Sequence, residues 1–93
     1  MNVGDTFTIL VFHESRNYRM TVTCTYVSNQ IERYWITAGK KLIVLRNDRP
    51  MAKAEFKKAI IQWKVEDGYP NNPTAFYYTL RVLEQELDKI DGV

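Results

Sequence analysis

The sequence predicts an α+β fold: an antiparallel meander of four to five strands, followed by one C-terminal helix over about 73–91 that packs on one face. Three observations predict it. Residues 18–26 alternate apolar and polar positions without a break, the period of a half-buried strand. Turn-forming pairs recur at short intervals through the first half of the chain. The last segment carries one apolar stripe of helical period. A chain of 93 residues accommodates one domain, 1–93.

Thr6 to Phe12 (TFTILVF) reads as the first strand. The polar tetrapeptide Glu14-Ser15-Arg16-Asn17 is the expected loop of a hairpin, which sets His13 opposite Tyr18 and Phe7 opposite Cys24. In the second strand Tyr18, Met20, Val22, Cys24 and Tyr26 alternate with Arg19, Thr21, Thr23 and Thr25. That register gathers Phe7, Ile9 and Val11 with Met20, Val22 and Cys24 on one core face. Ser28-Asn29 signals a turn. Gln30 to Thr37 is a third strand with apolar residues on both faces. Gly39-Lys40 suits a two-residue II′ hairpin with glycine first. The fourth strand, Lys41–Arg46, is apolar on both faces from Leu42 to Leu45, as for a strand that is central or covered on both sides.

Asn47-Asp48-Arg49-Pro50 breaks the pattern. Residues 51–66 carry two conflicting periods. Phe56, Ala59, Ile60 and Trp63 have helical spacing, whereas Ala59, Ile61, Trp63 and Val65 alternate. The reading adopted is a loop over 51–58 and a fifth strand over 59–66. In the last segment Asn72 is an N-cap and Pro73 a first-turn proline. Phe76, Leu80, Leu83, Leu87 and Ile90 form the buried stripe, with Lys89 in the last turn and Gly92 beyond it.

Asn47, Arg49 and Pro50, then Trp63 to Gly68, then an amphipathic helix make a pattern NxRP … WKVEDG. Over residues 40–90 it resembles small uncharacterised bacterial proteins. The resemblance implies a fold arrangement and no activity.

The single cysteine, Cys24, cannot form an internal disulfide, and the first residues lack the charged n-region of a secretory leader. No run approaches the ~18 apolar residues that span a bilayer. A soluble, cytoplasmic chain without a membrane partner is expected. Cys24 and His13 lie far apart along the hairpin, which excludes a nucleophile–base pair. Cys24 reads as a small core residue and His13 as a solvated flank beside Glu14. One cysteine and one histidine do not make a zinc site. Phosphate-loop, nucleophile-elbow and EF-hand patterns are missing from the sequence. Glu84, Asp88 and Asp91 read as an ordinary wet helix exterior. No catalytic, metal or cofactor residue is assigned, and the chain is expected not to be an enzyme.

Charge is unevenly distributed. Residues 1–39 are neutral overall, 40–64 sum to +6 and 65–93 to −4, for a net +2. The stretch 39–58 holds seven basic side chains against two acidic ones. Lys40, Lys41, Arg46, Arg49, Lys53, Lys57 and Lys58 are the candidate nucleic-acid contacts, with Tyr34, Trp35 and Trp63 as stacking platforms. The leading expectation is different: a non-catalytic protein-interaction or self-associating module, with a protein partner or a homo-oligomer. One helix covers one face of a sheet. The other face, carrying Leu10 and Phe12 with Tyr34 and Ile36, would then be exposed. Phe12, Tyr34, Tyr77, Tyr78 and Val82 are the candidate interface residues.

Overall fold

The computed structural model describes residues 1–54, 60–70 and 72–92. Strands β1 (Thr6–His13), β2 (Arg16–Val27), β3 (Glu32–Ala38) and β4 (Lys41–Asn47) run antiparallel in sequence order, and β5 (Trp63–Asp67) completes a five-stranded meander. Two helices, α1 (Arg49–Ala54) and α2 (Pro73–Ile90), complete the described secondary structure.

The first hairpin is tighter than the sequence suggests. Glu14 and Ser15 both take left-handed backbone angles, φ 51° and 62°, as a two-residue type I′ turn requires. His13 therefore pairs with Arg16 and Phe7 with Val22, not with Tyr18 and Cys24. The register moves by an even number of residues, so the faces are unchanged. Ile9, Val11, Val22 and Cys24 are all buried together.

The face of Tyr26 is corrected by a bulge. Cys24 pairs with Tyr34 but Tyr26 pairs with Arg33, leaving Thr25 as the extra residue. Its hydroxyl donates to the Arg33 carbonyl at 3.2 Å. A bulge reverses the alternation beyond it, so Tyr26 leaves the core face and is 44% exposed. At the next turn Ser28 Oγ accepts from the Gln30 and Ile31 amides, both at 3.1 Å. Gly39 has φ 61° while Lys40 keeps a negative φ, consistent with the expected II′ turn.

The NDRP stretch ends one element and starts another. The Asp48 carbonyl accepts from the Ala52 amide at 2.9 Å, and Pro50 fits a first turn, where its missing N–H costs nothing. The expected loop over 51–58 is thus helix as far as Ala54. Residues 55–59 lie outside the described residues, and β5 begins at Trp63.

In α2 the Asn72 side chain accepts from the Thr74 and Ala75 amides, both at 3.1 Å. The buried line is Thr79, Leu83 and Leu87, with Phe76, Leu80 and Val82 packed beside it. Ile90, expected to extend that line, is 45% exposed at the helix end.

A helix is about 10 Å across and strands are about 4.8 Å apart, so one helix shields roughly two of five strands. The closest backbone approach of α2 to the sheet is at β1. Tyr34, Ile36 and Leu45 still reach the core beneath it. β4 is central in the sheet but covered on one face: Leu45 is fully buried, whereas Leu42 is 40% exposed. No helix among the described residues is long and apolar enough to cross a membrane.

Candidate functional site

The two edges of the sheet are built differently. β5 is five residues long, carries Lys64 and Glu66, and meets β4 through an irregular register between Val44 and Leu45. Short length, charge and a bulge are the usual protections of an edge. β1 has none of them. It is eight residues long, pairs with β2 without a register shift, and holds no charged residue and no proline from Thr6 to Phe12.

The direction of the β1 backbone groups follows from one hydrogen bond. The Cys24 amide donates to the Asp5 carbonyl at 2.9 Å, so Asp5 and Cys24 form a hydrogen-bonded pair. In an antiparallel ladder such pairs alternate with non-hydrogen-bonded ones. Phe7, Ile9 and Val11 therefore turn their backbone groups toward β2. Thr6, Thr8, Leu10 and Phe12 turn theirs to the free edge.

Side chains at the same alternate positions face away from the helix. Leu10 and Phe12 are 58% and 68% exposed. Trp35, between Thr23 and Val44 on neighbouring strands, lies on this open face, as do Arg19, Arg33, Arg46 and Lys64 by strand parity. Arg33 and Arg46 stand directly opposite each other, an unfavourable pairing by itself. Glu66 bridges them: it accepts from Arg33 Nε and lies 3.9 Å from Arg46 Nη1. The hydrogen bond from Arg33 holds the Glu66 carboxyl below its ordinary value. The Arg33 guanidinium also sits 5.3 Å from the Tyr26 ring centroid, a cation–π distance.

The basic stretch 39–58 does not form one surface. Lys40 lies in the β3–β4 turn, Lys41 is exposed at the start of β4, and Arg46 is on the open face. Arg49 is buried, at 2% exposure. This corrects its reading as a nucleic-acid contact. Its guanidinium lies 3.3 Å from Glu32, 3.0 Å from Asp88 and 2.6 Å from Asp91. Lys53 faces the same Asp88 and Asp91, at 3.6 and 3.8 Å. Lys57 and Lys58 lie outside the described residues. Strand alternation sends Lys41 and Arg46 to opposite faces, and the start of α1 turns Arg49 inward.

The carboxylates of α2 are likewise structural contacts. Asp88 and Asp91 hold Arg49, and Glu84 accepts from Trp63 Nε1 at 2.7 Å. Asn47 Oδ1 accepts from the Arg49 amide at 2.8 Å. Much of the NxRP … WKVEDG pattern thus serves strand ends, α1 and the helix dock. Trp63, whose ring centroid is 6.4 Å from that of Tyr34, packs against the core on the helix side.

The candidate interface residues separate. Phe12 is on the open face beside the free edge. Tyr78 is 46% exposed and stacks, tilted, 5.2 Å from His13 at the end of β1. His13 is therefore tucked under α2 rather than solvated, with its side chain 11% exposed. Tyr77 is 57% exposed and turns toward Arg81, 5.9 Å away. Tyr34 and Ile36 are corrected: both are buried on the helix face, because they alternate with Trp35, which takes the open side. Val82 is half-buried and packs against the core. Burial raises the Tyr34 hydroxyl, and the Glu32 carboxylate raises it further. Burial also raises the Cys24 thiol, and Asp5, opposite Cys24, lies eight residues from His13 along β1, roughly 26 Å. The free edge itself was not among the sequence candidates. Its signal is the uncharged run TFTILVF at the start of a meander.

Compared with protein-family models, curated proteins and solved structures, the chain matches none.

Proposed function

We propose that this chain is a self-associating module, in which β1 of one copy pairs antiparallel with β1 of a second. The observation that carries this reading is the unprotected β1 edge, with the backbone groups of Thr6, Thr8, Leu10 and Phe12 turned outward. The occupant is a second copy because the strand is compatible with itself. A register with Ile9 on the two-fold axis sets Thr6 against Phe12 and Thr8 against Leu10, outward group to outward group. No like charges meet along that line. Tyr78, stacked on His13 four residues from that axis, would lie beside the start of β1 of the second copy. Such an isologous contact closes a dimer and leaves the protected β5 edges outermost.

Sedimentation velocity with light scattering tests this. The wild type should show twice the 11.0 kDa chain mass. Leu10→Lys should return it to monomer, since a lysine on an edge strand opposes pairing. Thr37→Lys, on the open face but away from the edge, should leave the dimer intact. A wild type that stays monomeric into the millimolar range would sink the reading.

A second reading rests on the open face, which exposed Trp35 shares with Arg19, Arg33, Arg46 and Lys64. Stacking and cations together suit single-stranded nucleic acid. If that reading holds, labelled oligonucleotides should bind with a steep salt dependence, and Trp35→Ala should weaken binding at constant salt. No change in anisotropy at low salt removes it.

A further inference from the structure

The helix face of the sheet is not filled along its whole length. At the end near the hairpin turns α2 stays closest to β1, and Ile43 of β4 is left half-buried. A half-open cavity of about 400 Å³ lies there, within the size range of small-molecule sites. Tyr18, Met20, Ile36, Ile43 and Phe76 form its apolar wall, and Tyr69 and Pro70 close one side. At the mouth stand Arg16 and Lys41, and no carboxylate is among the described lining residues. Neither cation has an ion-pair partner among the described residues.

We infer that this cavity binds a small apolar carboxylate, its body against Met20, Ile36, Ile43 and Phe76 and its anionic group between Arg16 and Lys41. Shape and charge both direct that orientation. The interior offers an apolar body a place out of water. An anion needs partners, and the cations stand at the rim rather than the floor. A neutral ligand would leave both cations unused, and a cationic one would be repelled by them. The site is on the opposite side of the sheet from the open face and does not depend on how copies associate.

The probes are decanoate and 2-naphthoate, with decanol as the neutral comparison, followed through the amide resonances of Tyr18, Ile36 and Ile43. Saturable shifts confined to this end of the sheet are expected for a carboxylate. Arg16→Met and Lys41→Met should each weaken binding by up to about fivefold, the scale of one exposed ion pair. Both positions are exposed strand ends, so these variants keep the fold. Ala38→Phe, which fills the cavity from the face of Ile36, should abolish binding with the melting temperature retained. Tighter binding of decanoate identifies an aliphatic acid, and of 2-naphthoate an aromatic one. Decanol binding as tightly as decanoate, or no carboxylate producing localised shifts, overturns the assignment.

Discussion

Arg49→Ala should lower the unfolding free energy by about 3–5 kcal/mol, the scale expected when one partner of a buried ion pair is removed. The side chains of Arg49 and Glu32 are only 2% and 5% exposed. Without the guanidinium, the Glu32 carboxylate would be left in the core with no cation beside it. Its Oε1 atom already lacks a hydrogen-bond partner among the described residues, as does Arg49 Nε, so neither group has a contact to spare. The same guanidinium reaches Asp88 and Asp91 at the C-terminal end of α2. It ties β3, α1 and the last turn of α2 at one point, and the Met1 ammonium adds a contact to Asp91 at 3.1 Å.

That cluster also predicts an acid limb. Burial raises the Asp91 carboxyl, but the hydrogen bonds from Arg49 and from the Met1 ammonium outweigh it and hold the group below its ordinary value of 3.8. A depressed carboxyl stabilises the fold above its unfolded pKa, and that contribution is lost as pH falls through the folded value. Urea titrations of the wild type should therefore show stability falling below about pH 4, with a shallower fall in Arg49→Ala. The double variant Glu32→Gln with Arg49→Met should recover much of the loss, because it leaves no uncompensated charge. A loss below about 1 kcal/mol in Arg49→Ala would mean that the cluster behaves as a solvated surface pair.

The parts of this fold written locally were legible in the sequence. Asn72-Pro73 marks the start of α2 because a cap and a first-turn proline act within a few residues. Gly39-Lys40 marks a hairpin for the same reason. What escaped depends on partners distant in sequence. Tyr26 reads as core by alternation, and only the bulge at Thr25, set by pairing with β3, turns it outward. Arg49 sits in the most basic part of the chain and reads as surface, yet its counter-ions lie on β3 and on α2. The candidate surfaces depend on such partners even more. Whether β1 is an edge follows from the order of all five strands, and the cavity follows from where α2 lies across them. Composition, charge blocks and periodicity carry neither fact.

The association reading and the cavity reading address different sides of the molecule and fail separately. Leu10→Lys acts at the edge, on a side chain that points away from the helix layer. Lys41→Met acts at the mouth of the cavity, three strands away from that edge. A monomer that still binds decanoate, or a dimer that does not, assigns the failure to one reading alone.

Gly68→Ala should be the most damaging single-methyl change on the sheet, at roughly 2–5 kcal/mol. Gly68 has φ 87°, and a Cβ there would lie 2.5 Å from the Leu42 carbonyl oxygen and 3.0 Å from Ile43 Cα. Left-handed backbone costs an L-residue about 1–2 kcal/mol, and forced contact with packed atoms adds typically 1–3. The obstructing atoms belong to the β4 backbone, so no rotamer change relieves the clash. Gly39→Ala separates the two contributions. Gly39 has φ 61° with nothing among the described residues within 4 Å of the added atom, so it should show the conformational cost alone. Chemical denaturation of both variants should place Gly68→Ala well below Gly39→Ala, with each kcal/mol lowering the melting temperature by roughly 4–8 °C. Equal losses would mean that β5 shifts away from β4 without cost. The position also bears on function, because Tyr69 and Pro70, the next two residues, wall the cavity. Moving them outward should enlarge its mouth, so Gly68→Ala should weaken decanoate binding under conditions where it is still folded.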